Sequence, residues 1–444
     1  MIMLDLLHKI VKLAEKKGAS QAEVFAVSST RKSANIEKNE PKYSVLSREQ
    51  GVNIRVIYGG GIGSAYTLRL DEESIEKTIE KAISIAKVRG KDPYFKSFAS
   101  PQKYPEVEGL FSKNTAEVTV DDMLKDLIGV RDMYIKYDPR LSSLDFYSSV
   151  SVRETYIVNS LGVEAHGKST SAYFAAEAIC EEKGIMFSSY DYQVERDYKK
   201  INMSEVVKNA VEFALRQAKG VKAETEKLPV ILDPLAIGSL FFILFYAISA
   251  NNVQEKRSFL AGKIGEKVFD EKLTIIDDPL LPEGNASRKF DGEGVASRKL
   301  ALIENGVLKT YLYNLYTAQR EGRESTGHAS RGLRGEPGIS PSNIIVQLTE
   351  EKKLDELLAE VTKGIYVRIV IGAHTANMVT GDFSVALGEA YLIEKGELGP
   401  AVKQAMVSGN FAEVFSNIVA ASKEKTKKGS LITGRLLVEL NISG

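Results

Sequence analysis

The sequence is poor in the residues that staple or metallate proteins. It has one cysteine, Cys180, four histidines and no tryptophan. A lone cysteine excludes an intramolecular disulfide and any zinc site built from several thiolates, and it fits a reducing, cytoplasmic compartment. His8, His166, His328 and His374 never stand four or five residues apart, so no helix carries paired imidazoles. An excess of charge is missing as well. Lys plus Arg and Asp plus Glu both number 59, which argues against a dedicated nucleic-acid binder, since these show a basic footprint. Long apolar runs are absent too. The segment LAIGSLFFILFYAIS at 235–249 has fifteen residues, short of the roughly 20 needed to span a bilayer. It follows Asp233-Pro234 and precedes Asn251-Asn252, and is expected to be a buried core helix rather than a membrane segment.

What is present is enough apolar material for sizeable cores: 444 residues, 43% of them hydrophobic, a length that predicts two to four domains or lobes. The first residues read as an amphipathic helix over 3–17, not a signal peptide, because Asp5 and His8 interrupt the apolar stretch. Alternating patterns predict strands over 19–27, 31–37, 43–48 and 52–58. Gly59-Gly60-Gly61 then turns into a return strand at 62–67, and Asp71 caps a helix running to about Val88. A proline-punctuated linker at 91–114 leads to a second run in the same order. It has a helix at 120–137, strands at 142–150, 154–158, 172–181 and 183–192, and a helix at 204–218.

The fold class is therefore α+β, with mostly antiparallel sheets and packed helices. The N-terminal region, 1–222, divides into units of about 1–100 and 115–222 that hint at a duplicated helix–strands–helix unit. A larger mixed C-terminal domain covers 223–444. Its predicted elements include a strand at 308–315 and helices at 354–361 and 411–421.

Nucleophile motifs give little. Cys180 ends the apolar strand AYFAAEAIC and reads as an inert thiol. There is no G-x-S-x-G elbow, and the glycines at 59–63 lie between strands, not before a helix as a dinucleotide loop requires. Asp277-Asp278-Pro279 reads as a turn initiator. The loop REGRESTGHASRGLRGEPG, 320–338, sets four arginines among five glycines. Glycine permits close backbone approach and arginine grips carboxylates, so this is a candidate substrate- or partner-binding loop. A mobile surface loop is the alternative.

The C-terminal half carries the phrases SFLAGKIGEKVFDEKLTIIDDP (258–279), FDGEGVASRKLALIENGVLKTYLYN (290–314), STGHAS (325–330), TGDFS (380–384) and GEAYLIEKGEL (388–398). The N-terminal half carries GVNIRVIYGGGIGSAYT (51–67). In these the chain resembles the TldD/PmbA family of metallopeptidase-like proteins, and STGHAS resembles its PmbA (TldE) branch. The TldD branch carries His-Glu-x-x-x-His on the helix before the segment matching SFLAGKIGEKV, plus a cysteine ligand near its C-terminus. Counted back from Gly265-Glu266, the motif positions fall here on Phe241, Phe242 and Tyr246, and no cysteine follows Cys180.

The resemblance implies a pseudoenzyme subunit with no catalytic residues, metal or cofactor of its own. It implies assembly with a TldD-like catalytic subunit in a cytoplasmic peptidase that trims peptides and unfolded segments. Thr326, Gly327, His328, Arg331, Asp382 and Ser384 become the candidate substrate- or partner-binding residues. Pairing of the isolated chain with itself stays open, and neither a membrane nor a nucleic-acid partner is expected. Two other readings remain: a self-sufficient hydrolase built around His328, His374 and Asp382, and a regulatory binding protein using the arginine-rich loop.

Overall fold

The computed structural model describes residues 2–444. The N-terminal half runs α1 (Ile2–Lys16), β1 (Gln21–Glu37), β2 (Glu40–Tyr58), β3 (Gly61–Thr67), α2 (Glu72–Arg89), α3 (Lys113–Glu117), α4 (Val120–Tyr134), β4 (Leu141–Asn159), β5 (Glu164–Glu182), β6 (Ile185–Glu195) and α5 (Met203–Arg216). Helix–strands–helix thus occurs twice, and both units share one antiparallel sheet in the order β3-β2-β1-β4-β5-β6, joined where β1 pairs with β4. Successive strand residues point to opposite faces. Ala22, Val24 and Ala26 therefore pack on the α1 and α2 side, while Phe25 and Val27 face the C-terminal domain.

The strands are longer than the sequence patterns predict. The polar stretches expected to break β1, β2 and β4 stay in the ladder: Ser28 pairs with Gln50, and Ser29 pairs with both Glu49 and Arg153. Ladder hydrogen bonds come from the backbone, so polar side chains do not interrupt pairing. The β1–β2 turn, Lys38-Asn39, has φ of 50° and 68°, the left-handed pair of a two-residue hairpin.

The expected linker has no helix or strand before α3, yet Phe95, Phe98, Ala99, Val107 and Leu110 are buried. It straps the two halves together. The Gln319 side chain accepts from Lys96 N at 2.6 Å and donates to Ser97 O at 2.6 Å, and Tyr104 donates to Gly294 O at 2.9 Å.

The C-terminal half begins with β7 (Gly220–Lys222) and β8 (Glu226–Leu232), followed by α6 (Pro234–Ala247), α7 (Ala250–Gln254), β9 (Leu273–Asp277), β10 (Leu300–Glu304), β11 (Val307–Leu308), α8 (Leu315–Arg320), β12 (Ala329–Ser330) and β13 (Gly338–Ile339). It continues through β14 (Ile344–Leu348), β15 (Glu351–Lys352), α9 (Leu354–Ala359), β16 (Lys363–Ile371), β17 (Asp382–Glu394), β18 (Glu397–Lys403), β19 (Met406–Asn410), α10 (Phe411–Phe415), β20 (Ala420–Ser422), β21 (Thr426–Lys428), β22 (Leu431–Thr433) and β23 (Leu436–Ser443). One sheet has the order β15-β20-β23-β8-β16-β17-β18-β7, with β19 bridging β17 and β23; the other has the order β11-β10-β9-β14-β22-β21. Both are mixed, since β8–β16 and β14–β22 are parallel. Two expectations are corrected here. The strand expected over 308–315 ends at Leu308, and the helix expected over 411–421 stops at Phe415 so that Ala420–Ser422 can pair with β15 and β23.

The segment at 235–249 forms α6, a core helix. Asp233 caps it, accepting from Leu235 N at 3.1 Å, and Pro234 occupies the first turn, where its missing N–H costs nothing. Leu240, Phe241, Ile243 and Leu244 have no exposure; each stabilises the fold by about 1.5–3 kcal/mol. Among the described residues no helix is long and apolar enough to cross a membrane.

Helix α2 lies against β3 so closely that a Cβ on Gly63 would come within 2.0 Å of Ala82 O. Gly63→Ala is therefore expected to lower urea-unfolding stability by about 3 kcal/mol. Gly129→Ala on α4, where a Cβ meets nothing within 4 Å, is expected to stabilise by up to about 1 kcal/mol. Equal stability of the two variants would refute this packing.

Candidate functional site at the seam between the two halves

Polar residues gather where the N-terminal sheet meets the C-terminal domain. β1 contributes Glu23, β2 contributes Asn53 and Arg55, and the C-terminal loops contribute Asp291, Glu293 and Arg331, all at least nine-tenths buried. Arg55 Nη1 donates to Glu293 Oε1 at 2.9 Å and lies 3.4 Å from Glu23 Oε1. Arg331 Nη1 donates to Glu23 Oε1, and its Nη2 donates to Asn53 Oδ1 at 2.6 Å. Glu293 also accepts from Leu315 N at 2.8 Å. Phe95 and Phe98 flank the Arg55 guanidinium, their ring centres 5.4 and 5.2 Å away.

Burial opposes the charge on Arg55, but Glu23, Glu293 and Glu336 outweigh it and hold its pKa above the ordinary value. Burial pushes the Asp291 carboxyl up, with Glu293 adding repulsion. Glu293 is itself pushed up by burial despite Arg55.

A cavity of about 690 Å³ opens over this network. Arg55 and Glu293 line it, together with Arg89 and Glu336, which contact each other at 3.3 Å, and Tyr316 and Asn252, the latter from α7 just beyond the end of α6. It is the size of a ligand cleft, with both charge signs on its walls.

The arginine-rich loop is not a free surface loop. Its middle folds inward, with β12 paired to β13. Thr326 accepts from Tyr313 N at 2.7 Å, and Gly327 adopts φ +78° against Ala296 O. His328 has no exposure; its Nδ1 lies 3.0 Å from Thr326 O and its Nε2 lies 3.0 Å from Asp277 Oδ1. Asp277, read from sequence as a turn initiator, is instead fully buried and accepts from Ser342 N at 2.7 Å. Neither His328 nor Asp277 lines any of the cavities described. His328 is thus buried beside Asp277 on the loop that delivers Arg331 into the seam.

The other candidates lie apart from this seam. Asp382 and Ser384 are exposed on β17. Asp382 accepts from Thr380 Oγ1 at 2.6 Å and Asn410 Nδ2 at 2.8 Å, and these hydrogen bonds lower its pKa. His374 is exposed in the turn after β16. Among the described residues, no three His, Cys, Asp or Glu side chains are grouped to hold a metal ion. Of the three residues of the hydrolase reading, His328 is sealed in the core beside Asp277, whereas His374 and Asp382 are exposed.

On α6, Phe241 is packed edge-on against Phe245, Phe411 and Phe415 at ring separations of 6.0, 6.1 and 5.5 Å. Phe242 is 50% exposed and Tyr246 half-buried. The Ser239 hydroxyl is committed to Leu235 O at 3.1 Å. A metal needs several converging lone pairs, and this helix offers hydrocarbon with one tyrosine hydroxyl, so these residues do not fit a metal. Of the seam residues only Arg331 is a candidate from sequence; Glu23, Asn53, Arg55, Asp291 and Glu293 are not.

The chain matches PmbA/TldA metallopeptidase domain 1 over 22–86, the central domain over 113–218 and the C-terminal domain over 225–444. An uncharacterised protein of Methanocaldococcus jannaschii is 35% identical over 96% of this chain and 97% of its own length. A metalloprotease of the same organism is 30% identical over 84% of this chain and 83% of its own. The crystal structure of TldE from Thermococcus kodakarensis superposes with a TM-score of 0.92 at 27% identity, covering 99% of this chain and 100% of that one.

Removing Arg55 leaves Glu293 buried without a counter-charge. Arg55→Met is expected to cost about 3–5 kcal/mol in urea unfolding, with part recovered in the Arg55→Met/Glu293→Gln double variant; simple additivity would contradict the coupling. The raised carboxyls give a second test. A carboxyl held protonated by folding loses stability as pH climbs above the unfolded range near 4. Subtracting the melting curve of Asp291→Asn from that of the wild type should reveal such a fall between acid and neutral pH, and a flat difference would count against it.

Proposed function

The chain belongs to the PmbA/TldD metallopeptidase family, and on that premise we propose that it is the family's non-catalytic type of subunit, PmbA- or TldE-like, acting with a TldD-like chain as a cytoplasmic peptidase for peptides and unfolded segments. The observation that carries this reading is the chemistry of α6. Phe241 stands where the TldD branch keeps a metal ligand, inside an aromatic cluster with no exposure. Phe242 and Tyr246 stand at the other two motif positions. Replacing two imidazoles and a carboxylate by two phenyl rings and a phenol removes the donors for a metal and the base for a metal-bound water together.

The chain then contributes shape. Its seam cavity is rigidly framed by paired charges, and a neighbouring catalytic chain supplies the reacting groups. The similarity to TldE over the full length supports the branch assignment.

The test is to purify the chain alone and together with a TldD-like chain bearing His-Glu-x-x-x-His. Elemental analysis and hydrolysis of unfolded peptides are then measured for each. The isolated chain is expected to hold no stoichiometric zinc and to cleave nothing, with hydrolysis appearing when the two are combined. One zinc per isolated chain with chelator-sensitive hydrolysis would overturn the proposal.

A further inference from the structure

A second cavity, of about 250 Å³, lies on the same seam beyond Arg331. One wall is the sheet face carrying Arg153 and Thr155 of β4 and Gly167 and Ser169 of β5. Register sets Arg153 opposite Ser169 and Thr155 opposite Gly167. The other wall is formed by the loops bearing Arg288–Gly292 and Ala329–Arg331. Phe25 and Phe290 supply aromatic surface. At this volume the cavity admits a chain end or a single side chain, since clefts for larger ligands run to roughly 300–1,000 Å³.

Its charge is lopsided. Arg153, Lys168, Arg288, Lys289 and Arg331 line it against one acid, Asp291. Three of these cations are matched from outside: Lys168 by Glu154 at 3.0 Å, Lys289 by Glu106 at 2.6 Å and Arg331 by Glu23. Arg153 and Arg288 are not. Among the described residues neither guanidinium has a carboxylate in salt-bridge range; Arg153 makes no side-chain hydrogen bond, and Arg288 makes one long bond, to Gly327 O at 3.4 Å. The Nε atoms of Arg288 and Arg331 are buried and donate to nothing. Burial lowers the pKa of Arg153 with only Glu49 opposing, and that of Arg288 with Asp291 and Asp277 opposing.

Arg153 and Arg288 are partly buried, and the protein treats its fully buried arginines differently. Arg55 and Arg368 meet carboxylates at 2.9 and 3.0 Å, and Arg196 is filled by three carbonyls at 2.9–3.0 Å. Leaving even a partly desolvated cation unmatched has a cost. Two together, at one cavity, mark a place for an anion that the chain itself does not supply.

We propose that this cavity binds a carboxylate, gripped by the guanidiniums of Arg153 and Arg288, with Arg331 Nε and the Thr155 and Ser169 hydroxyls as further donors. Two planar forks match the two oxygens of a carboxylate. The phenyl walls take the carbon skeleton. On the peptidase-subunit reading above, on which this identification of the ligand rests, the carboxylate is that of a peptide, either its C-terminus or an acidic side chain.

The isolated chain is titrated into a fluorescein-labelled, alanine-rich hexapeptide and followed by fluorescence anisotropy. The free-acid peptide is compared with its C-terminal amide, and an amide containing one internal Glu with the same amide containing Gln. Tighter binding by about tenfold or more is expected for the free acid if the terminus is the ligand, or for the Glu peptide if a side chain is. Arg153→Gln and Arg288→Gln are each expected to abolish that preference with the circular dichroism spectrum unchanged. Should Arg288→Gln fail to fold, Arg153→Gln, on the less buried wall, gives the answer alone. Equal binding with and without a carboxylate, a preference that survives Arg153→Gln, or competition by inorganic phosphate stronger than by acetate would overturn the proposal. Binding is read without a partner, so its absence counts against this cavity. Partner-free hydrolysis of the same peptides counts instead against the subunit reading.

Discussion

The structure depends on the four charges buried between the N-terminal sheet and the C-terminal domain. Arg55 and Arg331 face Glu23 and Glu293 across chain separations of 238 and 308 residues. All four are buried, and the pairs Arg55–Glu293 and Arg331–Glu23 form only when the two halves are seated in this one arrangement. Such networks add little net stability over a hydrocarbon interface, because desolvation offsets the attraction. What they do here is fix the register of the two halves, and with it the shape of both cavities that open on the seam. The linker at 91–112 closes the same joint from outside, with Gln319 holding Lys96 and Ser97.

Much of the architecture was legible in the sequence. The apolar run after Asp233-Pro234 announced a buried helix, and the glycine turn at 59–61 announced a hairpin, with φ of 58° and 80° at Gly59 and Gly60. These are local signals and depend on neighbours in the chain. The helix–strands–helix recurrence was legible for the same reason, although the fusion of the two units into one sheet through β1 and β4 was not.

The seam was harder to read because burial of a strand's second face is decided by a distant domain. Glu23 and Arg55 look like the solvent-side residues of amphipathic strands. One clue was available. In QAEVFAV, Ala22, Val24 and Ala26 alternate with Phe25 and Val27, so both faces of β1 are apolar and both must be covered. A glutamate on such a strand is buried and needs a partner. His328 misled in the opposite direction. A histidine in a glycine- and arginine-rich loop resembles a ligand, yet it is buried out of reach of any ligand, beside Asp277, fifty-one positions earlier. The functional weight of that loop rests on Arg331, which reaches Glu23 and Asn53 across the seam.

Family membership and the packing of α6 together shape the account. Relatives by sequence include metalloproteases, while the helix at the heart of this C-terminal domain is spent on aromatic packing among Phe241, Phe245, Phe411 and Phe415. The chain keeps a framed cavity and has no metal-binding set among the described residues. The most direct measurement is peptide hydrolysis by the reconstituted two-chain complex in which the glutamate of the TldD-like partner's His-Glu-x-x-x-His has been changed to glutamine. If this chain contributes no reacting group, the complex still assembles and hydrolysis falls to background. Hydrolysis persisting near the rate of the unaltered complex would mean that this chain carries a catalytic site of its own.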